Sequence, residues 1–140
     1  MNLLVLSGGQ HPYDESTPIL KKFLEEAGHR VEVKEDASVL LSPGLKEQDA
    51  IVFNTRREND MTLTEDEQVA LTQFIGGGKG FVCIHISTCR PADWHNYHNI
   101  TGGGWITGTS YHPPYGQFKV KVKNSRHAGA AGISDFVTND

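Results

Sequence analysis

At 140 residues, with 37% hydrophobic and 21% charged residues and a formal charge of -4, the chain is long enough to bury roughly two-thirds of its unfolded surface in one domain. Adjacent basic residues occur only at Lys21-Lys22 and Arg56-Arg57, which argues against a nucleic-acid partner, and no apolar run approaches the roughly 20 residues that span a bilayer. Cys83 and Cys89 are too few for a secreted disulfide scaffold and are not spaced as C-x-x-C; together with a first segment that lacks a basic leader, they set the expectation of a cytoplasmic protein with reduced thiols.

Asn2 to Leu6 is a continuous apolar run ending in Ser7-Gly8-Gly9, as in a strand buried on both faces of a parallel sheet. Thr17 followed by Pro18 predicts a helix start, and Ile19, Leu20, Phe23, Leu24 and Ala27 supply its apolar stripe before Gly28. Arg30 to Lys34 alternates like an edge strand, and Asp36 to Gly44 reads as a loop or short helical turn. Ala50 to Asn54 is the next buried strand, with a polar exit through Thr55, Arg56 and Arg57. Thr64 and Glu67 have capping-box spacing, so a helix follows with Val69, Ala70, Leu71, Phe74 and Ile75 inward, closed by Gly76 to Gly78.

Phe81 to His85 then reads as a fourth buried strand that breaks into a polar turn, His85 to Arg90. Pro91 to Asn99 suggests a short helix with Trp94, Tyr97 and His98 on one face, and Gly102 to Gln117 a loop rich in glycine, proline and aromatics. Phe118 to Lys123 alternates as a half-exposed or edge strand would. Strands alternating with helices, joined by right-handed crossovers, predict a doubly wound, mostly parallel three-layer α/β sheet in a single domain over 1–140.

Open parallel sheets bind ligands outside the carboxyl ends of their strands. That edge receives Gly9 and His11 after the first strand, Thr55 and Arg56 after the third, and His85 and Ser87 after the fourth. A histidine at such an elbow serves as general base or as metal ligand. His11, His85 and His112, on separate loops, have the donor chemistry of an open zinc or other divalent-metal site, although their spacing gives that site no independent support. Arg56 or Arg57 either orients a polar or anionic substrate group or forms a surface ion pair with Glu58 or Asp60. Trp94, Trp105, Tyr111 and Tyr115 either stack on a sugar ring or anchor the loop to the core. Of the thiols, Cys83 is expected to be buried and inert in its strand, and Cys89 to be the more accessible in its turn.

The run Gly77 to His85, with Trp94, Tyr97, Thr101-Gly102-Gly103, His112-Pro113-Pro114 and Ser7 to Tyr13, resembles the ThuA-like (trehalose utilisation) branch of the class I glutamine amidotransferase-like superfamily. Ala50 to Phe53 also fits that family. The resemblance implies a flavodoxin-like sheet and a sugar or keto-sugar ligand, with His85 as the acid/base or metal-bound centre. In the same reading Arg56 and Ser87 stand in the catalytic group, and Gly9, His11, Thr55, Trp94, Trp105 and His112 line the substrate. A glutamine amidotransferase is not implied: the superfamily's cysteine position holds His85, and Cys83 stands where this branch usually has glycine. Sugar hydrolysis or isomerisation is the activity the resemblance suggests.

The family usually continues beyond the segment matched by Phe136 to Asp140, so the expectation is a C-terminally shortened domain whose open sheet edge favours a homo-oligomer. Two other readings stand beside the sugar enzyme. One is a non-catalytic binding or assembly module that keeps the fold; the other is a thiol hydrolase using Cys89.

Overall fold

The computed structural model describes residues 1–91 and 94–139. Its contacts fall into two compact units, Met1–Thr107 and Gly108–Asp140, where the sequence reads as one domain. The first unit holds β1 (Asn2–Gly9), α1 (Tyr13–Glu26), β2 (Arg30–Lys34), β3 (Ala50–Arg56), α2 (Glu65–Gly76), β4 (Gly80–Cys83) and α3 (Tyr97–Thr101). Two short 3-10 helices, Ala37–Leu41 and Pro43–Glu47, lie between β2 and β3.

The four strands are parallel in the order β2-β1-β3-β4, with Leu6 opposite Lys34 on one side and Phe53 on the other. Leu4 and Leu6 of β1 and Ile51 and Phe53 of β3 cluster with Leu71 and Phe74 of α2, which places α2 on that face of the sheet. Side chains alternate between faces along a strand, so Ser7 and Asn54 project to the opposite face, where they meet α1. One helix on each face makes the sheet doubly wound, as the alternation of elements requires.

The capping box at Thr64 is present. The Thr64 hydroxyl accepts the Glu67 N–H at 3.3 Å, and the Glu67 carboxylate accepts the Thr64 N–H at 2.8 Å. α1 departs from the expected start at Thr17-Pro18: it begins at Tyr13 behind Pro12, and Pro18 lies inside it. The Thr17 hydroxyl meets Ser7 Oγ at 2.6 Å and accepts from Asn54 Nδ2 at 3.1 Å, and Ser16 Oγ accepts from the same amide at 3.0 Å. A buried amide and hydroxyl need partners away from water, and two hydroxyls on the inner side of a helix supply them. The stripe that faces the sheet is correspondingly narrower than the periodicity suggests. Leu20 and Leu24 are half-buried, while Ile19, Phe23 and Ala27 are exposed.

β4 is shorter and more open than the two-face burial expected of Phe81 to His85. Phe81 and Cys83 turn toward the α2 side and its core cluster. α1 packs on β1, β2 and β3, and Val82, on that face of β4, remains 49% exposed. β2 is the edge strand its alternation predicts. The expected helix over 91–99 includes Ala92 and Asp93, which lie outside the described residues; α3 itself starts later, at Tyr97. No helix among the described residues is long and apolar enough to cross a membrane.

The second unit contains β5 (Gln117–Val120) and β6 (Phe136–Asn139), paired antiparallel with Phe118 opposite Thr138. Asp135 holds the ribbon, accepting the Val122 N–H at 2.9 Å and pairing with Lys119 at 3.4 Å. Of the alternating Phe118 to Lys123 segment, only Phe118 to Val120 lies in a strand, part of a two-stranded ribbon whose partner the sequence pattern left unassigned.

Candidate functional site

β1 and β3 lie side by side where the strand order reverses, the place at which an open sheet leaves a crevice beyond its carboxyl ends. Both strands run further toward that crevice than their apolar runs, with Gly8 opposite Thr55 and Gly9 opposite Arg56. Gly9 has φ 108°, and a Cβ there would run into the Arg56 carbonyl, so only glycine keeps the two backbones this close. The Thr55 hydroxyl donates to the Gly8 carbonyl at 2.6 Å. The loop beyond turns back as the His11 N–H donates to the Gly9 carbonyl at 3.0 Å.

The fourth strand reaches the same edge by another route. Ile84 N–H donates to the Phe53 carbonyl at 2.9 Å, and His85 then opens a 3-10 turn, His85–Thr88, in the left-handed region at φ 53°. A side chain other than glycine is uncommon there, and such strain gathers at functional positions. Ser87 is buried and brackets the turn to β3: its hydroxyl donates to the Phe53 carbonyl at 2.8 Å and accepts the Thr55 N–H at 3.2 Å. The hydroxyl placed in the catalytic group by resemblance is thus committed to the framework beneath His85.

The two exposed imidazoles of His11 and His85 come together, ring centroids 5.5 Å apart and edge to face, with Tyr13 5.8 Å from His11. Two adjacent imidazoles open to solvent suit proton donation and proton acceptance on one small polar ligand. Among the described residues no group of three or more His, Cys, Asp and Glu side chains is placed to hold a metal ion. His112 belongs to the second unit, exposed, with Nδ1 2.8 Å from the Pro113 carbonyl.

Arg56 forms the ion pair that the sequence allowed: Nε and Nη2 meet Glu58 Oε2 at 2.7 and 2.6 Å. The other Glu58 oxygen accepts the Cys89 thiol at 2.9 Å. Burial opposes ionisation of Glu58, but hydrogen bonds from Cys89 and Arg56 and the Arg56 charge together hold its pKa below the usual carboxylate range. Cys89 answers in the opposite sense: burial first, then its bond to Glu58, pushes the thiol up to about 11.

The expected accessibility of the thiols is reversed. Cys89 is only 5% exposed, while Cys83 is half-buried beside the Tyr97 hydroxyl at 3.6 Å. A buried thiol bonded to a carboxylate lacks the electropositive, accessible setting of a nucleophile. Burial also raises the Cys83 pKa.

Trp94 is 7% exposed and packs in the core against Tyr97, ring centroids 4.9 Å apart, so the anchoring reading describes it. Trp105 is half-buried, and its carbonyl accepts the Arg90 N–H at 3.3 Å. Arg57, the other arginine the sequence offered to orient a substrate or form a surface ion pair, and Gly104, which had no signal in the sequence, also shape the region. Arg57 is buried, and its Nη2 donates to the Ser7 carbonyl at 2.8 Å and to the Glu35 carbonyl, clasping the ends of β1 and β2. Gly104 leaves no room for a Cβ against the Thr88 carbonyl, below the His85 turn. The Arg-Arg pair marked β3's exit but did not say which guanidinium turns inward; contacts distant in sequence decide that.

Residues 2–140 match the family model described as ThuA, trehalose utilisation. Among solved structures, a ThuA-like protein from Bacteroides uniformis superposes with a TM-score of 0.77 at 20% identity, over 99% of this chain and 57% of that one. A ThuA-like protein from Parabacteroides merdae gives 0.75 at 17% identity, over 97% of this chain and 59% of that one. The chain therefore spans less than two-thirds of the length of these relatives. No curated protein matches.

Proposed function

Because the chain belongs to the ThuA, trehalose-utilisation family, we propose that it binds a sugar, trehalose or a related keto-sugar, at the carboxyl edge of the sheet, with His85 as the acid/base centre. The observation that carries this reading is the exposed His85 imidazole, held at φ 53° and 5.5 Å from that of His11 above the β1–β3 crevice. In this role His85 exchanges a proton with a ligand hydroxyl or carbonyl, while His11 supplies or takes the complementary proton. Gly9 and Thr55 form the floor, and Arg56, steadied by Glu58, directs a guanidinium edge at ligand oxygens. Hydrolysis and isomerisation of a sugar both use such a proton-exchanging pair.

The test is His85→Ala, with trehalose and keto-sugars as titrants in calorimetry and turnover assays. Loss of binding or turnover by at least about tenfold, with an unchanged circular dichroism spectrum and urea midpoint, is expected. Full activity in that variant would remove His85 from the centre.

One observation favours the assembly reading as a companion: β4 borders the four-stranded sheet with Val82 49% exposed, an arrangement suited to pairing with a second copy.

A further inference from the structure

The ends of β1 and β2 are joined by a side chain that the proton-exchanging pair does not call on. Arg57 is only 8% exposed, and its Nη2 donates to the Ser7 carbonyl at 2.8 Å and to the Glu35 carbonyl. A charged donor makes strong hydrogen bonds away from water, so the backbone of Glu35 is fixed beside the glycine turn Gly8-Gly9. The Glu35 side chain lies along that turn: a Cβ at Gly8 would stand 3.6 Å from Glu35 Cγ and 3.8 Å from its Cδ. From the β3 side, the Thr55 hydroxyl holds the Gly8 carbonyl at 2.6 Å.

Glu35 differs from the other carboxylates that follow strands at this edge. Glu35 and Asp36 come after β2, and Glu58 after β3. Asp36 accepts the Ser38 N–H at 2.9 Å and caps the 3-10 helix Ala37–Leu41, while Glu58 takes the Arg56 guanidinium and the Cys89 thiol. Glu35 is exposed, and among the described residues its carboxylate has no ion pair. Two acceptor oxygens and no donor suit it to neighbouring hydroxyl groups. In doubly wound sheets an acidic side chain beyond the second strand, beside the glycine turn of the first, accepts from a sugar hydroxyl.

Position along the sheet adds a length. The strand order β2-β1-β3-β4 puts three spacings of about 4.8 Å between the ends of β2 and β4, roughly 14 Å in all. Glu35 follows β2 at one end of that span and His85 follows β4 at the other, with His11 leaving β1 between them. A single sugar ring reaches one end; two linked rings reach both.

We propose that Glu35 is a specificity-determining residue of the sugar site, its carboxylate accepting hydrogen bonds from the hydroxyls of a second ring, so that the site takes a disaccharide whose first ring lies at His11 and His85. This rests on the sugar reading of the site and adds the length of the ligand to it. Glu35 also offsets the burial of Arg57, after Glu67 and Asp36. A loss of stability alone therefore does not report the ligand role, whereas the ratio of disaccharide to monosaccharide affinity does.

The test uses the full chain, with trehalose and glucose as titrants in calorimetry, for the native sequence and for Glu35→Gln, which keeps the size of the side chain. Trehalose affinity is expected to fall roughly tenfold or more in the variant, with glucose affinity unchanged. Crystals of the native protein soaked in trehalose are expected to show a ring hydroxyl at hydrogen-bond distance from a Glu35 carboxylate oxygen; this second measurement stands even if the variant is destabilised. Trehalose affinity retained in Glu35→Gln, equal losses for the two sugars, or a bound trehalose that leaves Glu35 untouched would each overturn this proposal alone. A native protein that binds neither sugar would overturn the sugar reading together with it.

Discussion

The middle of the sheet and its β4 margin deliver residues to the same edge by different physical means. β1 and β3 are buried along their length, and the polar groups at their ends are tied down: Thr55 to Gly8, Asn54 to Ser16 and Thr17, Ser7 to Thr17. β4 has four residues, alternates between exposed and half-buried, and passes at once into a strained His85. At the middle, burial of apolar area holds the backbone in place. At the margin a few hydrogen bonds hold a conformation that costs about 1–3 kcal/mol. The lesson is a division of labour, in which the packed strands form a rigid floor and the exposed imidazole stands where less packing restrains it.

That comparison is broken most severely at Gly9. Gly9→Ala places a Cβ against the Arg56 carbonyl at φ 108°, and since β1 and β3 cannot separate without opening the core, a loss of about 4 kcal/mol is expected in urea unfolding. A loss below about 1 kcal/mol would show that the middle of the sheet yields more easily than its burial implies. Next comes Ser87→Ala, which leaves the buried Phe53 carbonyl and Thr55 N–H without the hydroxyl that bridges them. It should cost about 1–3 kcal/mol and weaken the proposed sugar binding through the His85 turn. Unchanged binding together with the stability loss would separate the bracket from the site.

The smallest effect concerns Cys89. Its pKa is raised in the folded state from 9.0 to about 11, so between those values the folded protein keeps a proton that the unfolded chain has released. This contribution to stability is complete below pH 9 and is lost as the pH rises through about 11. Urea midpoints should therefore fall more steeply from pH 9 to 11 in the native protein than in Cys89→Ala. Parallel curves for the two proteins would place the thiol in an ordinary exposed setting, on the margin's side of the comparison.

Much of this arrangement is legible in local sequence. The apolar runs of β1 and β3, the alternation of β2 and the Thr64–Glu67 box each have a short-range cause, and each of these elements forms where that cause operates. The α1 start is the instructive failure. Thr17-Pro18 satisfies a helix-start rule, yet the Asn54 amide, 37 residues away, takes the Thr17 hydroxyl and the helix starts at Tyr13 instead. The thiols fail in the same way. Strand periodicity says that Cys83 alternates with its neighbours, but burial depends on what covers the sheet, and the covering is thinnest at β4.

The amino-acid sequence by itself determined the order of strands and helices, the family and the arrival of His11, Arg56 and His85 at one edge, because apolar periodicity, glycine turns and caps act over a few residues. Tertiary structure alone decided that His11 and His85 stand ring to ring, that Cys89 is sealed against Glu58, and that Arg57 turns inward while Arg56 stays with its ion pair. Those outcomes rest on contacts between segments distant in sequence, where desolvation and close packing choose among side chains that local pattern treats alike.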